Sequence, residues 1–227
     1  MDFVGIDKFS LLDYEEKISV VLFSKACNFR CPFCHNGQSV LNAETTIPFN
    51  EIISYLKTKS KLIDAVVISG GEPTLMPDLK DKIIEIKKLG FLIKLDTNGS
   101  NPDVLKSLLD DNLIDYVAMD IKNSKEMYAK TAGCPLVNFE NIEKSMEILR
   151  NSLVKYELRT TLVKEFHNET SIKEMSKLLI GHKKLYLQKF VDREGVIQKG
   201  LHEISFEEAN LYKDILSKVL PTELRGY

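Results

Sequence analysis

A parallel α/β sheet wound as a partial (β/α)6 TIM-like barrel is the fold that this 227-residue sequence predicts. Three observations lead there. Short apolar, β-branched runs alternate with amphipathic stretches along most of the chain, as buried parallel strands alternate with their crossover helices. About six such units follow one another, too few for an eight-unit barrel and right for a curved, partial one. Polar or glycine-rich clusters follow the strands, on the edge where parallel α/β folds bind ligands.

Taken in order, the predicted strands are 18–24, 65–69, 91–96, 116–121, 156–163 and 184–190, each short, apolar and bounded by Gly, Asp or Asn. Pro48 opens the first helix, with Phe49, Ile52, Ile53 and Leu56 at helical spacing. The 78–89 stretch places Leu79, Ile83, Ile84 and Ile86 on one side, and Gly90 stops it. Further helices are expected over 102–112, 139–149 and 171–179. The last begins at Ser205, with Glu208 three residues on as a capping box. Residues 1–16 read as a short lead-in and 17–227 as one domain, with no linker or low-complexity segment between them.

Composition is that of a globular protein, 44% hydrophobic and 28% charged, which excludes collagen, a disordered tail and a disulfide-stapled mini-domain. A net charge of −2 supplies no bulk positive field, so no nucleic-acid partner is expected. No apolar run approaches the roughly 18–20 residues of a membrane span. The start, Met1 to Asp7, lacks the basic and apolar regions of a signal peptide, so a cytoplasmic chain with reduced thiols is expected.

Of four cysteines, three lie within eight residues: Cys27, Cys31 and Cys34. Thiols this crowded in a reducing compartment bind a metal or a cluster. A structural zinc takes four ligands and a [4Fe–4S] cluster normally four cysteines, so three leave one position open. Cys134, in Gly-Cys-Pro after the fourth strand, reads as an ordinary thiol rather than the fourth ligand. His35 reads as a hydrogen-bonding neighbour. A zinc clasp would leave the other clusters without a task. These are Ser69-Gly70-Gly71-Glu72-Pro73-Thr74 after strand two, Asp96-Thr97-Asn98-Gly99 after strand three and Met119-Asp120-Ile121-Lys122 after strand four. Because each follows a strand, all converge on one edge. Arg159 is a charge inside an apolar strand, costly unless paired; it either points into the barrel toward a carboxylate or faces an edge or a helix terminus. Gln188 near the end of strand six is a weaker candidate for the same site.

The thiol spacing, C-x3-C-x-aromatic-C with Phe33 as the aromatic, resembles the radical S-adenosylmethionine (radical SAM) superfamily. The motifs Cys-Asn-Phe-Arg-Cys-Pro-Phe-Cys-His-Asn, Ser-Gly-Gly-Glu-Pro-Thr-Leu, Leu-Asp-Thr-Asn-Gly and Met-Asp-Ile-Lys resemble the activating enzymes of glycyl-radical proteins. They are most similar to the anaerobic ribonucleoside-triphosphate reductase activating proteins, and next to the pyruvate formate-lyase activating enzymes. The resemblance runs from about Lys17 to Phe190 and departs from the pattern at 13–17, where acids replace a Pro-Gly turn. It implies a [4Fe–4S] cluster on Cys27, Cys31 and Cys34 with S-adenosylmethionine on the open iron. It implies that Gly70, Gly71 and Glu72 receive the cofactor's ammonium, and that Asp96, Thr97 and Asp120 surround its carboxylate, through a monovalent cation where one is bound. Lys122 would reach the cofactor, and Arg159 would bind its carboxylate if it points inward. The implied partners are a glycyl-radical protein, namely anaerobic ribonucleotide reductase, and flavodoxin or ferredoxin as reductant. A radical SAM enzyme acting on a small molecule or peptide is the second reading. A non-catalytic iron–sulfur or zinc protein is the third.

Overall fold

In the computed structural model, which describes residues 3–37 and 45–227, the strands form one sheet in chain order. β1 (Phe3–Ser10) lies antiparallel to β2 (Ser19–Ser24). From β2 onward every pairing is parallel, through β3 (Ala65–Gly70), β4 (Leu92–Thr97), β5 (Tyr116–Asp120), β6 (Lys155–Leu162), β7 (Leu185–Lys189) and β8 (Thr222–Arg225). No ladder joins β8 to β1 among the described residues, so the barrel is partial. The crossovers carry α1 (Phe49–Lys59), α2 (Leu79–Lys87), α3 (Pro102–Asp110), α4 (Lys125–Thr131) with α5 (Phe139–Asn151), α6 (Glu169–Leu178) and α7 (Phe206–Leu216).

Local chemistry sets these boundaries. Pro102 opens α3 from its first turn, where its missing N–H costs nothing. Asn168 and Ser171 form a reciprocal capping box that starts α6 at Glu169, two residues ahead of the predicted start. Ser205 caps α7 through the Glu208 N–H at 3.2 Å. The Glu208 carboxylate accepts from the Tyr212 hydroxyl at 3.2 Å.

Side chains alternate along each strand. Val20, Leu22, Val66, Ile68, Ile93, Leu95, Val117, Met119, Leu158, Leu185 and Leu187 are all fully buried in the large core between sheet and helices. Each such side chain contributes about 1.5–3 kcal/mol by leaving water. The intervening residues face the lumen. At its N-terminal end Tyr14, Val21, Ala65 and Val67 form a small separate cluster. Tyr14 also packs on Tyr116, with ring centroids 5.5 Å apart.

Among the described residues the structure adds four elements to the predicted set, one of them a 3-10 turn over Pro73–Leu75. The 1–16 stretch, expected as a lead-in, carries β1. A four-residue strand, β8, follows Pro221, and α4 occupies a stretch for which no element was expected. No described helix is long and apolar enough to cross a membrane.

Candidate active site

The chain leaves β2 at Ser24, turns through Ala26 with a positive φ of 59°, and enters the thiol loop. Cys34 N–H donates to the Cys31 carbonyl at 2.9 Å, which winds the second half of the loop. Outside braces hold it. Arg30 N–H donates to the Ala132 carbonyl at 2.9 Å and Gln198 N–H to the Pro32 carbonyl at 2.9 Å. His35 stacks on Phe190 and its Nε2 donates to the Val191 carbonyl at 2.9 Å. Gly133 fits against this loop only as glycine. Its φ is +58°, and a Cβ there would lie 2.0 Å from the Arg30 carbonyl oxygen.

Cys27, Cys31 and Cys34 all face one cavity of about 360 Å³ at the C-terminal ends of the strands. Its lining also includes Phe33, Gly70, Gly71, Asp96, Thr97, Asp120, Lys122 and Arg159, together with His35 and Gln188. Cys134, expected to be an ordinary thiol, does not line the cavity, and neither does Glu72.

Glu72 is 1% exposed, and its carboxylate is spent inside the protein. Oε1 accepts from Thr74 N–H at 3.1 Å, Thr74 Oγ1 at 2.5 Å and Thr97 Oγ1 at 2.7 Å. Oε2 accepts from Asn98 N–H at 2.6 Å. Burial pushes its pKa up, against the pull of those donors. The side chain expected to meet the cofactor's ammonium thus ties the loop after β3 to the loop after β4. The two glycines before it are also explained by protein packing. A Cβ on Gly71 would lie 1.9 Å from the Ala26 carbonyl oxygen, and Gly70 has a φ of +100°. Their backbone is what borders the cavity.

The cavity floor is an ion chain running through the lumen. Lys122 Nζ donates to Asp120 Oδ2 at 2.9 Å, and Arg159 Nε to Asp120 Oδ1 at 2.9 Å. Arg159 NH1 reaches Asp96 Oδ2 at 3.2 Å, an oxygen that Ser69 also contacts at 2.9 Å. Deeper, Lys94 sits 3.9 Å from Asp96 and 3.8 Å from Glu157, and Arg225 of β8 reaches Glu157 at 3.3 Å. Burial works against charge on Asp120, yet Arg159 and then Lys122 hold its carboxyl at about 2. Burial likewise opposes the charges of Lys122 and Arg159, and Asp120 more than offsets it, raising both pKa values. Arg159 therefore points inward, and its guanidinium bridges the two carboxylates that the resemblance places around the cofactor's carboxylate.

Four cations face three carboxylates along this chain, a balance that suits an incoming carboxylate. Asp96 Oδ1 is buried without a hydrogen bond, with Lys94 Nζ 3.9 Å away. The thiols fit a cluster better than one ion. Among the described residues no group of three His, Cys, Asp or Glu is arranged around a single metal, yet all three thiols open on the same cavity. Burial pushes Cys27 up to about 11 and Cys31 up to about 12, and raises Cys34 as well. Binding a metal would require these thiols to give up their protons.

Several functional neighbours went unmarked in the sequence. Asn98 donates to Asn28 Oδ1 at 2.9 Å and Asn28 to Ser100 Oγ at 2.9 Å, joining the thiol loop to the loop after β4. Phe23, Phe29, Asn36, Asn98 and Thr161 also line the cavity. The period of two in Lys94 and Asp96, and in Glu157, Arg159 and Thr161, is the signal that marks a polar lumen.

A family model described as the radical SAM superfamily matches residues 21–179. A protein of Methanocaldococcus jannaschii, named for glycyl-radical enzyme activation, is 38% identical over 76% of this chain and 73% of its own length. A Thermococcus kodakarensis protein named as a GTP 3′,8-cyclase is 29% identical over 57% of this chain and 43% of its own. A pyruvate formate-lyase-activating enzyme of Staphylococcus aureus is 27% identical over 57% of each. This chain therefore spans about half of the latter two. Among solved structures, a radical SAM methyltransferase from Sphaerobacter thermophilus superposes with a TM-score of 0.73 at 15% identity, over 93% of this chain and 67% of the other.

Proposed function

The chain belongs to the radical SAM superfamily, and on that footing we propose that it is the activating enzyme of a glycyl-radical protein, with anaerobic ribonucleotide reductase as that protein. It is a radical SAM enzyme, and the superfamily's [4Fe–4S] cluster and S-adenosylmethionine are its cofactors. The observation that carries the reading is the meeting of three thiols and a charged strand-end rim in one cavity, together with a 38% identical relative named for this activity.

When bound, the cluster and S-adenosylmethionine supply one-electron reductive cleavage of the sulfonium, and with it the power to remove a hydrogen atom from an unactivated C–H bond. Cys27, Cys31 and Cys34 would hold three irons and leave the fourth for the cofactor. The Gly70–Gly71 backbone borders the same space. Lys122 and Arg159, each fixed by Asp120, present positive charge to the cofactor's carboxylate. Phe23, Phe29 and Phe33 wall the cavity with apolar surface and so limit water. The hydrogen donor in this reading is the Cα of a glycine on a partner loop, entering where no ladder joins β8 to β1 among the described residues. Flavodoxin or ferredoxin would deliver the electron.

The relative named as a GTP cyclase supports a second reading, a small nucleotide as hydrogen donor. One experiment separates the two. Reduced enzyme and cofactor are incubated with a peptide from the glycyl-radical loop of anaerobic ribonucleotide reductase, or with that intact protein, carrying Cα-deuterated glycine. Deuterium in 5′-deoxyadenosine is the expected result. Transfer from a deuterated nucleotide and never from the glycine would replace the activase reading with the second.

A further inference from the structure

Asn98 has no part in the chemistry above, yet it is tightly anchored at the rim. It is 6% exposed. Its Oδ1 accepts from Ser100 N–H at 2.9 Å, and its backbone N–H donates to Glu72 at 2.6 Å. That fixes the amide's orientation and turns Nδ2 toward the thiol loop. There Nδ2 donates to Asn28 Oδ1 at 2.9 Å and reaches Cys27 Sγ at 3.9 Å. Asn28 is itself held, its Nδ2 donating to Ser100 Oγ at 2.9 Å. Among the described residues, Asn98 is the side chain that donates to a thiol of the trio. The other donor to Cys27 is the backbone N–H of Phe29, at 3.3 Å.

We propose that Asn98 is a positioning residue that tunes the reduction potential of the cluster through its N–H···S contact with Cys27. Hydrogen bonds to ligand sulfurs are one of the means by which a protein sets cluster potential. A donor draws charge off the thiolate. It therefore favours the more negative, reduced cluster and raises the potential. In the step concerned the oxidised cluster gains one electron from a low-potential one-electron donor, and Asn98 neither gains nor loses a proton. Asn28 contributes indirectly, by holding the amide in place. The proposal is independent of the activase reading, because every radical SAM substrate needs the cluster reduced first.

The test is a redox titration of the reconstituted protein, without S-adenosylmethionine, followed by the electron paramagnetic resonance of the reduced cluster. Asn98→Ser keeps a hydroxyl for the Ser100 N–H but is too short to reach Cys27. It is expected to retain full iron and to lower the reduced-to-oxidised ratio about tenfold at the wild-type midpoint, a shift of about 59 mV to more negative potential for one electron. Asn28→Ala should shift the midpoint the same way by less. A midpoint equal to or above wild type in Asn98→Ser at full iron overturns the proposal. If Asn98→Ser loses its cluster, an unshifted midpoint in Asn28→Ala overturns it equally.

Discussion

Outward-facing and lumen-facing residues alternate along the same strands, and they bury very different groups. Ile93 and Leu95 of β4 are fully buried against helices, while Lys94 between them, 4% exposed, carries a charge into the barrel. In β6, Leu158 lies in the outer core while Glu157 and Arg159 belong to the ion chain. An outer core of aliphatic groups stabilises the fold through area and close packing. A buried ion chain stabilises little overall, because desolvation consumes most of the attraction, but losing one member is expensive. The difference teaches that this sheet separates its tasks by face: stability outside, ligand chemistry inside.

The largest effect expected from breaking that division is at Arg159. Arg159→Met leaves Asp96 and Asp120 buried without their shared partner and should cost about 3–5 kcal/mol in urea unfolding of the cluster-free protein. Leu95→Ala should cost about 2–5 kcal/mol by leaving a cavity. The two would differ in their response to acid. Asp120, held at about 2, contributes stability that is present above its unfolded pKa of about 3.9 and is lost as pH falls toward 2. Leu95→Ala should keep that loss, and Arg159→Met should shrink it to the share that Lys122 still holds. Equal acid profiles in the two variants would show that the lumen charges are not coupled as the geometry implies.

Glu72 sharpens the comparison, since it is a rim carboxylate that behaves like part of the packing. Glu72→Gln should lower the stability of the cluster-free protein by about 1–3 kcal/mol, because the new amide nitrogen cannot accept from Thr74, Thr97 or Asn98. A residue serving only a ligand would leave that unfolding curve unmoved.

A further effect separates the faces by pH. His182 lies on the outer side, 6% exposed, with its Nδ1 3.1 Å from the Tyr156 hydroxyl. Burial, and then Arg150, pushes its pKa down to about 4. Being neutral when folded, it favours the native state above pH 6.5, and that contribution is lost as pH falls from 6.5 toward 4. The loss should reach about 2–3 kcal/mol, with buried His167, also pushed down, adding to it. His182→Phe should remove its share of this window and leave that of His167, together with the loss below pH 4, which belongs to Asp120.

Much of this was legible in the residues themselves. The apolar runs of β2 to β7 and the polar residues trailing them locate the parallel strands and their functional edge, because both follow from burial and from strand direction. The lumen was harder to read. Lys94 and Glu157 sit inside apolar runs, and only their spacing of two from Asp96 and Arg159 betrays a shared inward face. β1 went unread because it is an antiparallel edge strand with a half-exposed, mixed sequence, Phe-Val-Gly-Ile-Asp-Lys-Phe-Ser. β8 is four residues of Thr-Glu-Leu-Arg and gains its strand character from pairing with β7. Glu72 shows a different limit. Its residue type announces a carboxylate at the rim, but which way that carboxylate turns depends on Thr97 and Asn98, more than twenty residues away.

The most direct test of the account is the formation of 5′-deoxyadenosine from S-adenosylmethionine by the reduced, iron-reconstituted protein, measured beside its iron content. Wild type and Cys134→Ser should each hold about four irons and form the product, while Cys31→Ala should lose both. Full iron with no product in wild type, or loss of iron in Cys134→Ser, would contradict a three-thiol cluster with one open iron at the end of the charged lumen.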